Sequence, residues 1–127
     1  MIDATDNYET RFLLNDLAHR SGRIMVHGAA AGWSGQVSVF ASGMQAGAPC
    51  YRCWVPDLPP EAETCENVGV AGPVTGLIGT RLALEAIKLI TGSGVPLIGK
   101  LWLVDALSGE SRTIRLRNDP KCLCCNT

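Results

Sequence analysis

Two cysteine pairs set the tightest limit on what this chain can fold into. Cys50-Tyr-Arg-Cys53 and Cys122-Leu-Cys124-Cys125 each hold thiols with two residues between them. That spacing lets both sulfurs of a pair reach one tetrahedral ion, and two such pairs complete a four-sulfur zinc site. Between Cys53 and Cys122 lie 68 residues. This is too many for a compact zinc finger, so a shared ion would pin the C-terminal tail to a mid-chain loop. Four protein ligands leave no open coordination position, which makes the site a structural clamp rather than a reaction centre. A disulfide pair or a redox Cys-x-x-Cys accounts for only some of the thiols.

The remaining composition narrows the setting. The 127 residues, 46% hydrophobic and 18% charged, suffice for one core. A net charge of −1 gives no electrostatic footprint for nucleic acid or an anionic membrane. The longest apolar stretch, Val68 to Ile90, is interrupted by Arg81, Glu85 and Lys88 and makes a poor membrane span. Asp3 and Asp6 sit where a secretory leader would be basic. The expected setting is cytoplasmic and reducing, where paired cysteines favour metal. The opening Met1-Ile-Asp reads as the last part of a strand whose earlier residues are absent.

Along the chain, Asp6 or Thr5 is expected to cap a helix running to about Arg20, with Ser21-Gly22 ending it. Ile24–His27 reads as a short strand, Gly28–Gly35 as a small-residue loop, and Gln36–Phe40 as an alternating strand. The Pro- and acid-rich stretch 54–68 reads as a mobile crossover loop. Gly72-Pro73 opens a long helix to about Thr91, ended by Gly92. Its Arg81, Glu85 and Lys88 form one narrow polar stripe, so the helix is expected to be buried nearly all round. Leu101–Asp105 and Thr113–Arg117 read as a strand pair around Ser108-Gly109.

Three features outside the cysteine pairs could carry chemistry. Asp3-x-x-Asp6-Asn7 follows a strand and opens a helix, a place where ligands collect in open α/β sheets. A carboxylate there can hold Mg²⁺ against phosphates or simply cap the helix. Arg11, about one and a half turns on, can reach a phosphate or lie solvated. Cys65 is a lone loop thiol. Its neighbours Glu61, Glu63 and Glu66 disfavour the thiolate, and no cation is close in sequence. His19 and His27 read as a helix-face and a strand-end residue rather than ligands.

Taken in order, Asp3-Ala-Thr-Asp-Asn-x-x-x-Arg11, Gly28-Ala-Ala-x-Gly-x-x-Gly-Gln36, Pro49-Cys-Tyr-Arg-Cys53, Thr64-Cys65, Gly69-Val-x-Gly-Pro73, Leu84-Glu-Ala-Ile-Lys88 and Cys122-x-x-Cys125 resemble the MoeB/ThiF/HesA adenylyltransferases, bacterial relatives of ubiquitin-activating enzyme. The resemblance covers essentially the whole chain. It implies the C-terminal half of an α/β, Rossmann-type fold with a mixed sheet and flanking helices. It also implies MgATP-dependent adenylation of the C-terminal Gly-Gly carboxylate of a ubiquitin-like sulfur carrier, feeding molybdopterin- or thiamine-type sulfur transfer, in a homodimer. By resemblance Asp6 is the Mg²⁺-associated aspartate, and Asn7 and Arg11 belong to the same nucleotide signature. Cys50, Cys53, Cys122 and Cys125 hold Zn²⁺. Cys65 is the crossover-loop cysteine, which links covalently to the carrier in thiamine-type members. The family's glycine-rich nucleotide loop has no counterpart in these 127 residues. Residues 1–127 are therefore expected to be one partial domain, inactive in adenylation when isolated.

Overall fold

A computed structural model of the chain describes residues 1–58 and 69–126. One five-stranded mixed sheet forms, with its strands side by side in chain order. These are β1 (Ile2–Asp3), β2 (Met25–Ala31), β3 (Ser34–Phe40), β4 (Lys100–Asp105) and β5 (Glu110–Arg115). β1 pairs parallel to β2, and every later pairing is antiparallel. Helix α1 (Tyr8–Arg20) and the short helix α2 (Tyr51–Trp54) cover one face. Ala18, Met25, Phe40, Tyr51 and Leu101 form the core there. Helix α3 (Gly72–Thr91) covers the other face through Val74, Ile78 and Leu82, packed on Val26, Val37, Val39 and Val104. This is the mixed α/β sheet with flanking helices that the sequence implies.

The stretch expected to be a loop from Gly28 to Gly35 is instead the far half of a hairpin. β2 and β3 stay in register from Met25↔Phe40 to Ala31↔Ser34. The small residues are there because α3 lies close. A Cβ built on Gly28 would sit 2.7 Å from a Leu82 methyl, and one on Gly35 would clash with Ile78 Cδ1. His27 is accordingly a fully buried mid-strand residue, not a strand end. The final strand begins three residues earlier than expected, at Glu110.

Helix α3 has the expected bounds, but its burial differs from expectation. The sheet offers one face, so only Val74, Ile78, Leu82 and Glu85 are buried. Leu77, Leu84, Ile87 and Ile90 are exposed, the last at 84%. Glu85, expected in a polar stripe, is wholly buried. Its carboxylate accepts from Lys88 Nζ at 2.7 Å and from the Leu97 N–H at 2.7 Å, with Arg81 Nε 3.6 Å away. The bond from Leu97 ties α3 to the segment that enters β4. Among the described residues no helix is long and apolar enough to cross a membrane.

Candidate functional site

The four expected cysteines converge. Their sulfurs all lie within 4.8 Å of one another. Cys50 and Cys122 Sγ are 3.6 Å apart, Cys53 and Cys125 Sγ 3.4 Å, and Cys50 and Cys53 Sγ 4.0 Å. A tetrahedral ion with metal–sulfur bonds of about 2.3 Å has sulfur–sulfur edges of about 3.8 Å. The spacing therefore suits four thiolates around one ion, and it is far from the ~2.05 Å of an S–S bond.

Local sequence places each thiol. Cys50 is the N-cap of α2, and its N–H donates to Cys53 Sγ at 3.4 Å, folding the first pair onto itself. Buried Asn15 of α1 accepts the Tyr51 N–H at 2.8 Å and donates to Cys124 Sγ at 3.6 Å. Arg52 forms a bidentate pair with Asp16 at 2.8 and 3.0 Å, fixing α2 against α1. The C-terminal tail is held by Asn118, which donates to the Ala48 carbonyl and to Cys125 Sγ. Burial raises the Cys50 and Cys125 thiols above their usual range and pushes Cys124 up to about 12. Taking up a metal at Cys50 and Cys125 therefore displaces protons.

A second site lies at the carboxyl end of β1. A cleft of about 560 Å³ opens on the α1 face of the sheet. One wall carries Asp6, Tyr8 and Arg11; the floor and far wall carry Ala29, Ala31, Ser34, Gln36, Asp105 and Arg112. The N-cap of α1 is Asn7, whose Oδ1 accepts the Thr10 N–H at 2.8 Å, not Asp6 or Thr5. Thr5 is engaged elsewhere: its N–H and hydroxyl both donate to Asp3 Oδ1, at 3.0 and 2.7 Å. Asp6, relieved of capping, lines the cleft, and among the described residues its carboxylate receives only the Asn7 amide, at 3.3 Å. Arg11 is not a freely solvated charge. Its Nη2 donates to the Thr5 carbonyl at 3.1 Å, its guanidinium lies 5.2 Å from the Tyr8 ring centroid, and its Nε is buried without a described partner.

Behind the floor lies a polar chain that residue-by-residue reading of the sequence missed. Asp3 and His27 are both fully buried, and His27 Nδ1 donates to Asp3 Oδ2 at 2.7 Å. His27 Nε2 lies 3.1 Å from the Gln36 amide nitrogen. Burial lowers the His27 pKa, against the pull of Asp3, and so favours the neutral ring. Burial would raise the Asp3 pKa, but the bonds from His27 and Thr5 outweigh it and hold it below the ordinary value, which favours the anion. The only signal available was a buried-strand histidine near an aspartate. Their contact depends on the register Asp3↔His27 between parallel strands, which no local pattern encodes.

Thus Asp6 and Arg11 share the cleft wall, Asn7 caps the helix beside them, and the four thiols gather at a second centre. Cys65 and the rest of the expected crossover loop from 59 to 68 lie outside the described residues; Trp54 belongs to α2.

Comparison with known proteins gives a consistent picture. The ThiF family model matches residues 1–124. The chain is 44% identical to the maize (Zea mays) adenylyltransferase and sulfurtransferase MOCS3-1, over 98% of this chain and 27% of that protein. It is 40% identical to the Thermus thermophilus sulfur carrier protein adenylyltransferase, over 98% of this chain and 48% of that protein. The chain thus spans less than half the length of these curated relatives. Its fold matches that of E. coli MccB, solved with MccA-N7isoASN, with a TM-score of 0.78 at 14% identity over 99% of this chain and 40% of that one. With the match running from the Asp6–Arg11 wall through the first cysteine pair to the start of the second, this chain belongs to the ThiF family.

Proposed function

We propose that this chain takes part in ATP-dependent adenylation of the C-terminal Gly-Gly carboxylate of a ubiquitin-like sulfur-carrier protein. The observation that carries the reading is the meeting of Asp6 and Arg11 on one wall of a cleft at the carboxyl end of β1, in a ThiF-family chain. A bare carboxylate is a poor electrophile. Attack of its oxygen on the α-phosphorus of ATP, with pyrophosphate leaving, makes a mixed anhydride from which AMP departs readily to a sulfur nucleophile.

In this reading Asp6 supplies a carboxylate for Mg²⁺, which neutralises phosphate charge when bound. Arg11 offers a guanidinium to an anion at the same wall, and Asn7 holds Asp6 while capping α1. Cys50, Cys53, Cys122 and Cys125 hold Zn²⁺ as a structural clamp. Cys65 is assigned to the sulfur-transfer stage, as a covalent link to the carrier in a thiamine-type pathway and dispensable in a molybdopterin-type one. The working form is a cytoplasmic homodimer.

Calorimetric titration with a Gly-Gly carrier tests this, alongside ATP–pyrophosphate exchange. Carrier binding that weakens when the terminal Gly-Gly is removed is expected, without exchange, because the 127 residues hold no glycine-rich phosphate loop. A carrier that fails to bind refutes the reading. Binding indifferent to the Gly-Gly end points instead to a non-catalytic, zinc-stabilised module for ubiquitin-like proteins. Exchange by the chain alone shows that these residues suffice for the chemistry.

A further inference from the structure

The polar chain behind the cleft has a direction. A carboxylate only accepts, so the 2.7 Å contact between Asp3 Oδ2 and His27 Nδ1 places the imidazole hydrogen on Nδ1. The neutral ring then offers a lone pair at Nε2. The Gln36 amide, 3.1 Å away, must turn its NH₂ toward it. This leaves Gln36 Oε1 pointing away from the histidine, and no described residue donates to it. Gln36 is half-buried on the cleft floor, in the cross-strand row Ala29–Gln36–Leu103–Arg112. Ala29, Ala31 and Ser34 beside it are small enough for a peptide main chain to lie against the sheet.

We propose that Gln36 is a specificity-determining residue of the cleft, whose carbonyl oxygen accepts a backbone N–H of an extended, glycine-rich peptide tail and is held in that orientation by the buried Asp3–His27 pair. Gln36 touches the ligand; Asp3 and His27 are positioning residues that act through it. The assignment rests on the reading that the cleft takes a Gly-Gly tail. A tail without side chains can approach the alanine floor and present its N–H groups at strand spacing. The flanking guanidinium groups of Arg11 and Arg112 suit its terminal carboxylate.

The test pairs a spectroscopic readout with a ligand series. Nitrogen-15 spectra of the imidazole should show the Nδ1–H tautomer in the wild-type chain. Asp3→Asn, which can donate to Nδ1, should move the proton to Nε2 and turn the Gln36 amide around. Ligands are a short extended peptide ending in Gly-Gly and analogues in which each of the last two amide N–H groups is replaced by an ester oxygen. In the wild-type chain one ester is expected to weaken binding about five- to tenfold, the effect of one lost hydrogen bond. In Gln36→Leu, a partly exposed position that spares the core, the same ester should cost less than about twofold, and Asp3→Asn should lose the discrimination likewise. An Nε2–H tautomer in the wild-type chain, or equal ester penalties in wild type and Gln36→Leu, overturns the proposal. A Gln36→Leu defect confined to ATP affinity overturns the choice of a peptide as ligand. If the wild-type chain shows the Nδ1–H tautomer but binds no peptide, the tail-binding reading of the cleft falls, and the ligand assigned to Gln36 falls with it.

Discussion

Helix α1 touches both centres, one at its start and one past its middle, and they are built on opposite principles. Near its start Asp6, Tyr8 and Arg11 line the cleft; one turn past Arg11, Asn15 and Asp16 grip the cysteine-bearing helix α2. The thiol centre is a convergence of identical soft side chains on one point, with spacings that suit an ion's coordination sphere. The cleft end is a chain of unlike groups, each of which dictates the orientation of the next: Asp3 sets His27, and His27 sets Gln36. A centre of the first kind fails all at once when one ligand is lost. One of the second kind keeps its shape and loses its polarity. The thiol clamp therefore governs whether α1 is held, and the polar chain governs what the cleft wants.

Removing a ligand should give the largest effect. Cys50→Ser is expected to drop bound zinc from about one per chain to well below it, by elemental analysis, and to lower the melting temperature by more than about 10 °C. Amide signals around Arg11 should shift as well, because α1 loses its anchor. Signals at Gln36 and Arg112 in the sheet should change least. Asn15→Ala attacks the joint between the two regions while sparing every thiol. It leaves the buried Tyr51 N–H without its acceptor and should cost about 1–3 kcal/mol in urea denaturation, with zinc still bound. Full wild-type stability in this variant would mean the two ends are independent.

Acid should separate the two regions by pH. The folded His27 and Asp3 pKa values both lie below their ordinary values of 6.5 and 3.8, so the unfolded chain takes up protons first as pH falls. Their stabilisation is fully present above about pH 6.5. It declines below that as His27 of the unfolded chain titrates, and again below about pH 4 through Asp3. A His27→Gln chain, compared at matched zinc content, should show a flatter profile between pH 7 and 5; an unchanged slope would remove His27 from the account. The smallest effect is expected at Asp16→Asn. The bidentate pair with Arg52 is about a quarter exposed on both sides, so its loss should cost about 0.5–1 kcal/mol and leave metal content unchanged.

The two centres also differed in how far they could be read from residues alone. The thiol site was legible because Cys-x-x-Cys is a local statement, and two of them need only one assumption about the chain between. Asp6 and Arg11 were legible as a motif, yet Asn7 rather than Asp6 caps the helix, because Thr5 and Asp3 consume each other's hydrogen bonds. The Gly28–Gly35 hairpin was misread because alanine and glycine carry no strand signal by themselves. Their smallness answers to Leu82 and Ile78 of a helix more than forty residues away. The burial of α3 was overestimated for a related reason. Its apolar residues encircle the helix, and only tertiary structure says that the sheet covers one side. The Asp3–His27–Gln36 chain was invisible, since it requires a parallel register and then a tautomer.

The strand order has a consequence for how the molecule assembles. β2 and β3 are joined by a two-residue turn, and so can zip early. β3 and β4 are neighbours in the sheet, yet residues 41–99 lie between them. That long closure must be made before the second cysteine pair comes anywhere near the first, and closing large loops is what slows folding. An ion held by the four thiols would then be captured last, when the sheet is already complete as far as β5. Metal uptake should thus follow the slowest folding phase, and the colour of a thiolate-bound cobalt probe would time the moment this chain finishes folding.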